Sequence, residues 1–138
     1  MADEKEIAYW DWRSEDPPCM GIQIQSPEGI VYPLEEQLTL IDTGYSGGIL
    51  LPKQIYRRLH LHKWEYPDPE IYIMANEKEI KTIQARGYII VPRLSSELIE
   101  VKIDTPKEED TKDILLGCEF IRQFKLLLNG LNGKVCII

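Results

Sequence analysis

The stretch Leu38-Thr39-Leu40-Ile41-Asp42-Thr43-Gly44-Tyr45-Ser46-Gly47-Gly48 decides how the rest of this chain is read. A short run of strand-forming residues hands over abruptly to an acid, a hydroxyl and a glycine. An aspartate at the mouth of a buried strand is stripped of water, and desolvation lifts a carboxyl pKa, so Asp42 is a candidate for proton-transfer chemistry. Thr43 would supply a hydroxyl that fixes the loop, and Gly44 would let another backbone approach without a Cβ in the way. The same triplet also makes an ordinary turn after a strand, because Asp and Thr bond locally and Gly accepts unusual dihedrals. On three residues alone both readings stand.

Working outward, Gly21-Ile22-Gln23-Ile24-Gln25 alternates apolar and polar, Ser26-Pro27-Glu28-Gly29 is a turn, and Ile30-Val31-Tyr32 starts another strand. Residues 1–18 mix charge, aromatics and a proline pair. They are expected to form a loosely held arm, with Tyr9, Trp10 and Trp12 as anchors, and residues 19–138 the domain. Beyond the glycines, Pro52 is placed to open a short helix whose buried face is Ile55 and Leu59. Segments 71–74 and 80–83 read as a hairpin around the polar tip Ala75-Asn76-Glu77-Lys78-Glu79. Segments 87–91 and 98–103 read as further strands, followed by a charged loop at 105–113. Ile114-Leu115-Leu116 leads through Gly117 into a second short helix with Phe120, Ile121 and Phe124 inward. Asn129-Gly130 and Asn132-Gly133 mark turns before a closing strand, Lys134 to the end. Many short strands between turn signals predict a mainly β domain with one or two short helices.

At 138 residues the chain has room for one domain. A hydrophobic content of 43% with 28% charged residues excludes a disordered chain. The net charge of -7 argues against nucleic acid, whose binding needs a basic surface, and against anionic membrane. Three widely spaced cysteines, 19, 118 and 136, form neither a zinc motif nor a disulfide framework, so a reducing, cytoplasmic compartment is expected. The start of the chain is too acidic for a secretory signal, and Cys136 is one place too late for a prenylation box.

Other constellations carry less. The glycines at 44, 47 and 48 between strand and helix lack the lysine of a phosphate-binding loop, and Asp42 would repel an anion. His60 and His62 are badly spaced for one metal and are expected to face solvent at the end of the helix. Arg57, Arg58 and Lys53 read as that helix's wet face. No cofactor and no metal site are expected.

The order of elements around Asp42 resembles the retropepsin-like aspartic proteases, single-lobe relatives of pepsin. In that family an apolar strand, D-T-G, a short helix and a flap hairpin precede two apolar residues, a glycine and a second short helix. The corresponding residues here are Leu40-Ile41-Asp42-Thr43-Gly44, the helix after Pro52, the hairpin at 71–83 and Leu115-Leu116-Gly117, over roughly residues 20–138. The run D-T-G-Y-S-G-G-I-L-L-P also looks like a microbial branch of the clan.

The resemblance implies an all-β, closed-barrel acid-protease lobe that works as a homodimer. Aspartic proteolysis needs two carboxylates sharing a proton, and this chain has one D-T-G, so Asp42 from each of two copies would form the dyad. The resemblance further implies an endopeptidase acting on peptide or unfolded polypeptide. Asp42, Thr43 and Gly44 would be catalytic, Tyr45, Ser46, Ala75, Asn76 and Glu77 would face substrate, and Leu115, Leu116 and Gly117 would be the structural closing element. Tail residues 135–138 would pair at the dimer interface or, equally, form a core strand of one copy.

Three departures bear on activity. Tyr45 is bulky where retroviral members have a small residue. Ser46 and Cys118 stand where those members pair an acid with an arginine, so the loop must be braced differently. The tip has Asn76 in place of glycine, and Glu77 brings negative charge near the cleft. They leave room for a second reading, a dimeric peptide-binding or assembly module with little turnover.

Overall fold

A computed structural model describes residues 5–13, 15–74 and 76–138. Ala75, expected at the hairpin tip, lies outside them. The strands are β1 (Ala8–Asp11), β2 (Cys19–Gln25), β3 (Val31–Ile41), β4 (Ile49–Leu50), β5 (Glu70–Ile73), β6 (Glu79–Ile90), β7 (Ile99–Pro106), β8 (Leu115–Leu116), β9 (Leu126–Asn129) and β10 (Lys134–Ile137). Helices are few: α1 (Lys53–Arg58), α2 (Cys118–Ile121) and a 3-10 turn at Leu61–Trp64. The mainly β architecture with two short helices is the one expected from the spacing of turn signals. Among the described residues no helix is long and apolar enough to cross a membrane.

Seven strands run in the order β2-β3-β8-β4-β7-β6-β5, and β6 pairs back onto β2. Six of them therefore close into a barrel, with β5 attached outside β6. Closure depends on the length of β6, which pairs with β5 at one end, β7 along its middle and β2 through Tyr88 to Ile90. Residues 80–83 and 87–91, expected as separate strands, are mostly parts of this one strand. Gly87 does not interrupt it. A Cβ there would overlap Ile103 Cδ1 and lie 3.3 Å from the Gln25 carbonyl, so glycine allows close approach inside the barrel. Likewise residues 31–41 form a single strand, with a register shift against β2 between Ile22 and Ile24.

A second sheet has the order β1-β10-β9. The tail strand β10 is paired on both sides within its own chain, and Val135 and Cys136 are fully buried. Of the two expectations for the tail, the core strand is the one observed. β1 likewise places a strand inside the stretch expected to be a loose arm. Ala8 and Trp10 point inward and Tyr9 and Asp11 outward, the alternation of a half-buried strand. Trp10 is the anchor: its indole N–H donates to Glu36 Oε2 at 3.0 Å, and Arg93 binds Glu36 Oε1 at 2.9 Å while its guanidinium stacks on the indole. On α1 the inward residues are Tyr56 and Leu59, with Ile55 only partly buried, and Pro52 sits one place outside the helix.

Candidate active site

Asp42 is held at the end of β3 by the strand beside it. Leu40 and Ile41 pair in parallel with Leu115 and Leu116, and the Asp42 N–H donates to the Leu116 carbonyl at 2.9 Å. Asp42 Oδ1 accepts the Gly44 N–H at 2.9 Å, and the Asp42 carbonyl accepts the Tyr45 N–H at 3.2 Å. These local bonds are those of a turn, so the turn and the functional reading describe the same geometry. Asp42 is half-buried, and its Oδ2 has no hydrogen-bond partner among the described residues. Thr43 and Gly44 are exposed, and the Thr43 hydroxyl is likewise without a partner among those residues.

Two apolar residues and a glycine close the loop from the other side. The Gly117 N–H donates to Gly48 O at 2.9 Å, Cys118 N–H to Tyr45 O at 2.8 Å and Glu119 N–H to Gly47 O at 3.1 Å. Carbonyls of the glycine-rich turn thus satisfy the first N–H groups of α2, which have no intrahelical partner. A Cβ on Gly117 would overlap Gly47 O and lie 2.7 Å from the Tyr45 ring. The Cys118 thiol donates to the Thr43 carbonyl at 3.2 Å. Leu115, Leu116 and Gly117 therefore stand directly against the Asp42 loop.

Tyr45 is not where the sequence reading put it. Its side chain is 1% exposed and turned into the protein, so it narrows no open subsite. Its hydroxyl donates to Asp104, a carboxylate with no exposed surface. Burial pushes the Asp104 carboxyl above its ordinary range, against the pull of hydrogen bonds from Tyr45 and Thr82. Burial and the adjoining Asp104 charge raise the Tyr45 phenol in turn. Sequence reasoning passed over Asp104 because Asp104-Thr105-Pro106 does not rebuild the triplet. The alternation of β7 gave no signal either, since Asp104 is in phase with the exposed Glu100 and Lys102.

Ser46 is exposed beside the loop. Asn76 and Glu77 are exposed at the hairpin tip, where the positive φ of 64° falls on Glu77 and not on Asn76. Asn76 instead accepts the Lys78 N–H through Oδ1 at 3.0 Å. The hairpin is fastened to the charged loop by Lys78 on Glu109 at 2.7 Å and by Lys107 N–H on Lys81 O at 2.9 Å. Between them lies a pocket of about 240 Å³ with Leu50, Met74, Ile80 and Leu115 in its lining and Glu79, Glu108 and Lys81 among its polar groups. His60 and His62 are exposed, as expected, and their rings meet edge to face at 6.0 Å.

Comparison with solved structures places the fold. The chain superposes on a retropepsin-like aspartic protease from Rickettsia conorii with a TM-score of 0.51 at 19% identity, over 84% of this chain and 86% of that one. No protein-family model matches the chain. An uncharacterized protein of Archaeoglobus fulgidus is 30% identical over 92 residues, 67% of this chain and 69% of the archaeal one. The barrel is thus that of the retropepsin-like aspartic proteases, and the chain belongs to the same family as the archaeal protein.

Proposed function

We propose that this protein is an aspartic endopeptidase that acts as a homodimer, with Asp42 of each copy forming the catalytic dyad. The observation that carries the reading is the Asp42 loop itself. A carboxylate sits at the end of a barrel strand, braced by β8 and α2, with one oxygen and the neighbouring Thr43 hydroxyl unpartnered among the described residues. In such a dyad one carboxylate takes a proton from water as its oxygen attacks the peptide carbonyl, and the other protonates the carbonyl oxygen. Two like charges at contact distance cannot both ionise, which keeps one proton on the pair.

The proposed dimer surface is the edge of the second sheet. Among the described residues β10 is covered on both sides, the outer strands of that sheet are β1 and β9, and Leu127, Leu128 and Leu131 are exposed on or beside β9. Ser46, Asn76 and Glu77 are proposed to meet the peptide, with the apolar pocket beside Leu115 taking a side chain. The competing module without turnover drew on Tyr45 and the charged hairpin. With Tyr45 turned inward, only the hairpin charge still favours it.

The decisive variant is Asp42→Asn, assayed on an unfolded polypeptide from acidic to neutral pH. Hydrolysis falls to background while the circular dichroism spectrum and melting temperature stay near those of the parent. Cleavage that persists unchanged in the variant would falsify the assignment.

A further inference from the structure

Where the resemblance implied an acid–arginine pair bracing this loop, the chain has Ser46 and Cys118, yet the loop is not unbraced. Tyr45 holds Asp42 through its backbone N–H and reaches Asp104 with its hydroxyl. Its ring occupies a slot that exists because residues 47 and 117 lack side chains: a Cβ on Gly47 would lie 2.5 Å from the Tyr45 hydroxyl oxygen. Asp104 also accepts the Thr82 hydroxyl at 2.8 Å, and Thr82 belongs to the hairpin strand β6. From the other hairpin strand, β5, Tyr72 stacks edge to face on Tyr45 at 5.2 Å, and its hydroxyl accepts the Gln84 amide at 2.8 Å. One buried carboxylate thus bonds the Asp42 loop through Tyr45 and hairpin strand β6 through Thr82, and Tyr72 joins β5 to the same cluster through Tyr45 and Gln84.

Stability alone gives no reason for this arrangement. A buried charge without a cation is unfavourable, and apolar replacement of such groups is often neutral or stabilising. A fully satisfied buried network does something an apolar cluster does less well, which is to fix one relative placement of the elements it joins.

We propose that Asp104 is a positioning residue that couples the β5–β6 hairpin to the Asp42 loop, so that displacement of the hairpin by a bound peptide is transmitted to the carboxylate. Its meaning for catalysis rests on the function proposed above, but the coupling is measurable without hydrolysis. Amide hydrogen exchange on the full chain reads it directly. Tyr72→Phe removes only a hydroxyl at a half-buried hairpin position. Losing one hydrogen bond of the network speeds exchange of the Asp42, Gly44, Tyr45 and Cys118 amides about five-fold. Conversely, Tyr45→Phe on the loop speeds exchange of the Met74 and Glu77 amides at the hairpin tip. Acceleration confined to the mutated element in both variants overturns the proposal.

Asp104→Asn and Asp104→Leu separate positioning from filling space. Asn keeps an oxygen acceptor and retains much of the cross-protection, whereas Leu matches the volume and loses it. Protection that survives in Asp104→Leu also overturns the proposal. Should cross-protection behave as expected while the parent hydrolyses nothing, the coupling stands and the protease assignment fails.

Discussion

At Gly117 the local demand is steric. Its missing side chain leaves room for the Gly47 carbonyl and the Tyr45 ring, and neither can retreat, because Gly47 O accepts from Glu119 and Tyr45 is buried. Gly117→Ala therefore strains the core on both sides. Overpacking of this kind destabilises by about 1–3 kcal/mol, a loss to be read by urea unfolding; an unchanged midpoint would contradict the packing described. Asp104 supplies a prediction with a sign. Its carboxyl is raised in the folded protein by burial, so between the unfolded value and the folded one the native state binds more protons. Stability from this group is complete below the ordinary carboxylate range of about 4 and is lost as pH rises through the folded value. Unfolding free energy measured across that window falls with rising pH more steeply in the parent than in Asp104→Asn. Equal slopes would mean that Asp104 is not desolvated.

The hairpin and the tail strand show how differently elements are secured. Lys78 and Glu109 are both exposed, and an ion pair screened by water on all sides contributes little. Lys78→Ala is expected to leave the melting temperature almost unchanged, and a large drop would show that the hairpin depends on that pair. β10 is the opposite case. Val135, Cys136 and Ile137 are buried between β1 and β9, and full burial of an aliphatic side chain contributes about 1.5–3 kcal/mol. Deleting residues 135–138 removes more than a small domain can spare. Such a truncated chain is expected to lose near-ultraviolet dichroism, and a folded product would contradict the central place of β10.

On the scale of the whole molecule, the requirement is stoichiometric. One chain carries one D-T-G, so the proposed dyad requires two copies. Mixing equal amounts of parent and Asp42→Asn chains leaves about a quarter of the dimers with two aspartates. Hydrolysis per parent chain then drops to about half after subunit exchange, whereas independent monomers would show no loss. Sedimentation at micromolar concentration gives the accompanying mass. In the proposed dimer the net charge of -7 per chain would be doubled, which favours a contact through the apolar edge beside Leu127 and Leu128.

Local rules carried much of the reading. Alternation at Gly21 to Gln25, the Ser26-Pro27-Glu28-Gly29 turn, the proline ahead of α1 and the Asn-Gly pairs each act over a few residues, and each stands close to its expected position. The triplet at Asp42 and the apolar pair before Gly117 were legible for the same reason, since strand, acid and glycine are contiguous. What depends on partners distant in sequence was not legible. Strand β6 is one element because Gly87 packs against Ile103, and the early stretch at Ala8–Asp11 is a strand because β10 lies beside it. Tyr45 turns inward because Asp104 waits 59 residues away. Sequence alone determined that Asp42 stands at the end of a strand in a small β domain. Only the tertiary structure decided that its neighbour braces the loop from inside, because a buried hydroxyl and a buried carboxylate must find each other wherever the chain has placed them.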